Sequence, residues 1–295
     1  MSDLFVSVDI GGTTIQAAIS RSGTGIDQMF DFQLKSYENP VSWLQDFFEV
    51  IPHSSDSFWA VAVPGSVKER RYLLETPNLP DAWSGPAIPD ALAGADLNWV
   101  LENDANAAAL GEAEFGSGRG ANHLVCLTLG TGLGAGIIID GNIYRGASGA
   151  AGEFGHLQIE PDGRTCGCGS RGCLETYASA SGLMETYYEL TGNRPSAREI
   201  MDRVEEDELA ARAARRTGLY LGRGVAQLIN LLEPEKIIFA GGLSGSLDIL
   251  LPHIREAAGP LLFARRTKNT PLVQSELEFP ALHGGIALAN SSATY

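Results

Sequence analysis

A chain of 295 residues carrying 36 acidic against 21 basic side chains, formal charge −15, is long enough to bury one large core or two medium ones. That charge excludes nucleic acid and an anionic membrane surface as partners, since neither meets a matching basic patch. Four cysteines are too few for a disulfide scaffold, and no basic segment followed by a long apolar run marks a secretory signal, so the expectation is a cytoplasmic protein.

Leu4 to Ile10 is a short β-branched and aromatic run that reads as a buried strand, and Asp9 lies at its end. Gly11, Gly12, Thr13 and Thr14 follow as a tight turn into a second strand, Ile15 to Ser20. Their backbone N–H groups and hydroxyls suit phosphate oxygens, and Asp9 suits Mg²⁺ held through water, although a plain hairpin uses the same residue types. Pro40 to Val50 predicts a helix with Trp43, Leu44, Phe47 and Phe48 facing the core. Phe58 to Val63 predicts a strand that ends in Pro64 and Gly65, a turn exposing backbone where ligands meet open α/β sheets. Asn78, in a Pro-rich loop, is either a turn residue or a polar ligand contact.

Asn98 to Leu101 reads as a strand and the alanine run from about Ala105 as a helix, with Asn103 and Asp104 at the N-cap. Capping alone explains both residues. A carboxylate at a strand-to-helix junction is equally where a general base would stand to take a hydroxyl proton. Gly116 to Gly120 reads as a hinge. A second strand-turn-strand then begins, with Leu124 to Leu129 as strand, Gly130 to Gly136 as loop and Ile137 to Asp140 as return strand. Two such loops, one in each half, argue for nucleotide binding more strongly than one. The glycines also break the longest apolar run, leaving no transmembrane helix.

Between Gly149 and Glu175 the pattern is too rich in glycine and too broken for one helix or strand. Ordering such a loop needs compensation, and His156, Cys166, Cys168 and Cys173 form the ligand set of a closed, structural Zn²⁺ site. Free thiols or a disulfide are the alternatives. A metal knot would hold Glu153 and Glu175 rigidly, as a binding site requires. Beyond it, Ala178 to Thr191, Ser196 to Val204 and Asp207 to Leu232 read as helices. Lys236 to Ala240 reads as a strand whose turn, Gly241 and Gly242, suits an adenosine moiety. Leu272 to Glu276 is expected as the last strand and Gly284 to Asn290 as the last helix.

Taken together, D-I-G-G-T at Asp9, P-G at Pro64, E-N-D-A-N-A-A-A-L-G-E at Glu102, L-G-T-G-L-G-A-G at Leu129, G-E-F-G-H at Gly152, C-G-C-G-S-R-G-C-L-E at Cys166 and I-I-F-A-G-G-L-S at Ile237 resemble the ROK family of sugar kinases and related repressors, and within it the bacterial glucokinase group. The resemblance implies an actin-like, ribonuclease-H-like α/β fold. Two domains, 1–117 with 284–295 and 118–283, would enclose a cleft. It implies an ATP- and Mg²⁺-dependent kinase acting on the 6-hydroxyl of glucose, with Asp104 as general base. Gly65, Asn78, Asn103, Asp104, Glu153, His156 and Glu175 would bind the sugar, His156 also ligating zinc. Asp9, Gly11, Gly12, Thr13, Thr14, Gly130, Thr131, Gly132, Gly241 and Gly242 would bind the nucleotide and its metal. The alternatives are another hexose or N-acetylhexosamine as substrate, polyphosphate as donor, or a sugar-sensing regulator. Regulators of the family carry a helix-turn-helix module ahead of the kinase-like part, whereas the first phosphate strand here lies within the opening residues. A homodimer is the expected assembly.

Overall fold

In the computed structural model the described residues are 4–11, 14–33, 40–76, 79, 83, 85–95 and 97–292. Gly12, Thr13 and Asn78 lie outside them, as does the side chain of Trp43. The first sheet is built from β1 (Phe5–Ile10), β2 (Thr14–Ser20), β3 (Gln28–Gln33), β4 (Phe58–Val63) and β7 (Asn98–Asn103), in the order β3-β2-β1-β4-β7. β2 runs antiparallel to β1 and to β3, while β4 runs parallel to β1 and to β7. Strand alternation divides the side chains between two faces. Val6, Val8, Ile10, Trp59, Val61 and Val63 enter the core beneath α1 (Pro40–Val50) and α2 (Ala87–Gly94), joined there by Leu44, Phe47 and Phe48. Phe5, Ala60 and Val100 face the opposite way.

The second sheet repeats this plan. Its strands are β8 (Leu124–Leu129), β9 (Leu133–Ile139), β10 (Asn142–Ile143), β11 (Lys236–Ala240) and β12 (Leu272–Gln274), in the order β10-β9-β8-β11-β12. The same pattern of one antiparallel meander and two parallel additions recurs. Val125, Leu127, Leu129, Ile237 and Phe239 pack outward into a core closed by α5 (Ala180–Thr191), α7 (Glu208–Leu232) and α8 (Leu247–Ala258).

Two helices lie between the sheets. α3 (Asp104–Phe115) covers the inner face of the second sheet, where Ala108 and Ala109 meet Leu124, Cys126, Ile138 and Ile238. α9 (Pro280–Ser292) covers the inner face of the first, where Ile286 and Ala289 meet Phe5, Ala60 and Val100. The two helices cross with backbone almost in contact: a Cβ at Gly284 would stand 1.7 Å from the Ala107 carbonyl oxygen, and one at Gly111 2.1 Å from that of Pro280.

Several elements differ from their sequence expectation. The return strand begins at Leu133, not Ile137, and the loop before it is only three residues long. Gly134 and Gly136 are strand residues whose missing side chains admit α3: a Cβ at Gly136 would lie 2.2 Å from the Ala105 carbonyl oxygen. β7 continues through Glu102 and Asn103, because both remain paired to β4. The expected helix from Ala178 is instead α4 (Glu175–Ala178) and α5, broken at Ser179, whose hydroxyl accepts the Gly182 N–H to cap α5. The run expected from Ser196 to Val204 shortens to α6 (Ala197–Met201), started by a Ser196–Glu199 capping box. β12 stops at Gln274, whereas α9 starts four residues earlier than expected, at Pro280. β3, α2 and the hairpin of β5 (Ser66–Lys68) and β6 (Tyr72–Glu75) had no sequence expectation.

Candidate active site

The carboxyl ends of the parallel strands in both sheets open onto one cleft of about 230 Å³. Asp9 and Asp104 line it from the first half, Thr128 and Gly241 from the second, and Phe279 and Pro280 from the start of α9. Asp9 stands opposite Gln16 on β2 and Ala62 on β4, on the face that α9 covers. Asp104 is the first residue of α3. Asn103 caps that helix by accepting the Asn106 N–H at 3.0 Å, and its amide donates to Asp104 Oδ1 and to the Gly65 carbonyl, both at 3.1 Å. Gly65 has φ 127°, a backbone conformation open to glycine and strained for other residues.

Burial is the main reason that Asp104 is pushed up to about 6, with the Glu153 charge adding to it; the Ala105 N–H and the Asn103 amide pull the other way. Asp9 is pushed up to about 7 by burial and by the charge of Asp104. Two desolvated carboxyls on one wall, each raised toward neutrality, form an arrangement suited to a cation and a proton acceptor.

Each half contributes a turn closed by a backbone hydrogen bond. The Gly11 N–H donates to the Thr14 carbonyl at 2.9 Å, and the Gly130 N–H to the Gly132 carbonyl at 3.1 Å. Gly241, at φ 86°, lies against the backbone of Leu129, so the glycine turns after β8 and β11 are neighbours. Thr131, Gly241 and Gly242 are exposed. Gly132 approaches Glu175: a Cβ there would be 2.9 Å from Oε2.

The stretch after β10 folds with little regular structure, held by single bridges between Gln158 and Cys173 and between Thr165 and Arg171. Gly172, at φ 72°, lets the Glu160 carbonyl pass where a Cβ would sit. At the centre the ligand atoms of His156, Cys166, Cys168 and Cys173 all lie within 4.8 Å of one another. Cys166 Sγ is 3.6 Å from His156 Nδ1 and Cys168 Sγ is 3.7 Å from Cys173 Sγ. A tetrahedron with metal–sulfur bonds of about 2.3 Å has edges of about 3.8 Å, so the four groups fit zinc. The Ser170 N–H beside Cys168 lowers its thiol to about 7, toward the thiolate that a metal binds. Nδ1 of His156 faces the thiols, while Nε2 lies 3.8 Å from Glu153 Oε2. Glu175 touches this centre as well, its Oε1 accepting from Cys166 at 3.1 Å.

The structure thus brings Asp9, Asn103, Asp104 and Gly65 together on one side, with Glu153 close enough to act on Asp104, and His156 and Glu175 together at the knot. Glu102, Arg145, Thr128 and the Phe279–Pro280 turn had no assigned role in the sequence. A glutamate inside the apolar run N-W-V-L-E-N was the one available signal for Glu102.

With that geometry in hand, comparison with known proteins gives a match to the ROK family over residues 5–292. The chain belongs to the ROK family. A ROK relative, the glucokinase of Thermotoga maritima, is 36% identical over 274 residues, 85% of this chain and 86% of that protein. An N-acetyl-D-glucosamine kinase from Histophilus somni is 30% identical over 290 residues, covering 92% and 93%. The crystal structure of a ROK family glucokinase from Streptomyces griseus in complex with glucose and AMPPNP matches with a TM-score of 0.82 at 30% identity, over 98% of this chain and 99% of that one. The ROK kinases share the actin-like α/β architecture expected from the sequence motifs, here seen as two sheets of one topology.

Proposed function

We propose that this ROK protein is an ATP-dependent sugar kinase that phosphorylates the 6-hydroxyl of glucose with Asp104 as general base. The observation that carries the reading is Asp104 itself: a carboxyl at the start of α3, on the cleft wall, raised to about 6 by burial and by Glu153. Near neutral pH such a group is ionised and still basic enough to accept a hydroxyl proton. The step moves that proton to Asp104 as the sugar oxygen bonds to the γ-phosphorus. The bond from γ-phosphorus to the bridging oxygen breaks, and ADP leaves with the electron pair.

Gly65, Asn78, Asn103, Glu153, His156 and Glu175 would hold the sugar hydroxyls, whose loss would leave buried polar groups unpaired. The turns Gly11, Gly12, Thr13 and Thr14, and Gly130, Thr131 and Gly132, would meet the phosphates, and Gly241 and Gly242 the adenosine. Asp9 would hold Mg²⁺, which when bound supplies neutralisation of phosphate charge. His156, Cys166, Cys168 and Cys173 would hold a structural Zn²⁺ that orders the loop carrying Glu153 and Glu175. Residues 1–117 with 284–295, and 118–283, would form the two domains that close to exclude water. A cytoplasmic homodimer completes the reading. The name of the Histophilus somni relative supports N-acetyl-D-glucosamine as a second substrate reading.

The test is ADP release from Mg·ATP across a panel of hexoses and N-acetylhexosamines. Glucose should give the highest kcat/KM, and Asp104→Asn should lower kcat by about 10²–10⁴-fold with sugar binding kept. Sugar binding without turnover for any member of the panel, with ATP or with polyphosphate, would move the chain to the sensor class.

A further inference from the structure

Glu102 and Arg145 have no part in the reading above, yet they form an ion pair between the two halves, its carboxylate buried and its guanidinium partly exposed. Glu102 is 2% exposed, and its carboxylate accepts from four donors. Two lie on its own side, the Asn103 N–H at 3.2 Å and Asn106 Nδ2 at 3.1 Å. The other two are Arg145 Nε at 2.8 Å and Nη2 at 2.5 Å, from the chain that leaves β10. Such a pair is weak evidence for stability, because desolvation of the carboxylate offsets most of the attraction. Its placement is more informative.

From Arg145 the chain runs through Gly146, Gly149 and Gly152, all with positive φ, directly into Glu153. This loop is docked on both halves. A Cβ at Gly149 would be 1.9 Å from the Val67 carbonyl oxygen on β5, and one at Gly152 would be 2.5 Å from that of Ala135 on β9. The Ala151 N–H donates back to the Arg145 carbonyl at 3.2 Å, so the loop's two ends are tied to each other. Glu102, for its part, immediately precedes Asn103 and Asp104.

We propose that the Glu102–Arg145 pair fixes the position of Glu153 relative to Asn103 and Asp104, making both members positioning residues for the sugar and for its proton transfer. The proposal rests on the sugar-kinase reading. It predicts an asymmetry between its two members. Removing Arg145 leaves a carboxylate that is 2% exposed with the Asn103 N–H and the Asn106 amide as its remaining donors, whereas neutralising Glu102 leaves a guanidinium whose side chain is 31% exposed and still reaches water.

The experiment compares Arg145→Met, Arg145→Lys, Glu102→Gln and the Glu102→Gln/Arg145→Met double variant by steady-state kinetics, with calorimetric titration of glucose and a melting curve for each. Arg145→Met should raise the glucose KM and Kd at least about tenfold and lower kcat by up to about 10²-fold, the loss typical of a misplaced reacting group, while the ATP KM stays within about twofold. Arg145→Met should be the more damaging single change, and the double variant no worse than it, since both remove one interaction. Arg145→Lys should recover part of the glucose affinity by restoring the charge without the fork. Should Glu102→Gln not fold, the two Arg145 variants carry the test. A lowered melting temperature with glucose KM and Kd unchanged would reduce the pair to a structural contact and overturn the proposal. Absence of kinase activity in the unsubstituted protein defeats the kinase reading instead; the glucose Kd then decides the positioning claim alone.

Discussion

Asp104 is where the chemistry of single residues is most exposed to test. Its carboxyl is pushed up to about 6 because burial disfavours the anion. A base must be deprotonated to act, so activity is present above the raised pKa and lost as pH falls through it. The profile of kcat/KM should therefore rise tenfold per unit up to about pH 6 and then level, and the residual activity of Asp104→Asn should lack that limb. An acid limb near pH 4 would mean that the group acting in the free enzyme is an unperturbed carboxylate. Much of this site was legible in the sequence because Asp9 and Asn103 lie at strand ends and Asp104 starts the helix that follows, and strand ends are where sheets of this type present ligands. Arg145 was not legible. Its partner Glu102 lies 43 residues earlier, and nothing local to either residue announces the other.

At the scale of elements, the stretch from Gly149 to Glu175 is tied by isolated bridges and by turn hydrogen bonds such as Cys166 N–H to the Ser170 carbonyl, and the four candidate ligands meet at its centre. Cys168→Ser should lower bound zinc well below one equivalent by elemental analysis and lower the melting temperature. It should also raise the glucose KM by about tenfold or more, because Glu153 and Glu175 lose their support; outer-sphere changes at metal sites commonly cost 10–100-fold. ATP binding, assigned in the proposed function to turns at other strand ends, should persist. Zinc-free protein with normal glucose kinetics would remove the metal from the account. The same region marks the limit of pattern reading. Its ligand spacing was visible, but alternating glycines just upstream suggested a long loop where β9 already runs. Glycine signals close approach as readily as it signals a turn, and at Gly136 the approaching group is α3, which the local sequence does not contain.

For the molecule as a whole, duplication was half visible: two strand-turn-strand segments foretold two halves, and the topology shows both sheets built to one order. What joins them was hidden, because Gly111 and Gly284 are 173 positions apart and read locally as poor helix residues. Their contact sets the separation of the two inner helices, and α3 carries Asp104 at its end. Gly284→Ala would force a Cβ against the Ala107 carbonyl, pushing α9 and the first sheet away from α3 and the second sheet. Overpacking of this kind costs about 1–3 kcal/mol. Gly285→Ala supplies the control. Its Cβ would meet Ser7 on β1, 1.9 Å from Oγ, so the strain falls between α9 and the sheet it already covers. Both variants should melt at lower temperature than the parent. Only Gly284→Ala should also lose turnover out of proportion to its stability, by about tenfold or more at saturating glucose and ATP, because it alone changes the spacing of the halves that must meet around the substrates. Equal kcat in the two variants would show that the crossing holds the molecule together without setting the geometry of its cleft.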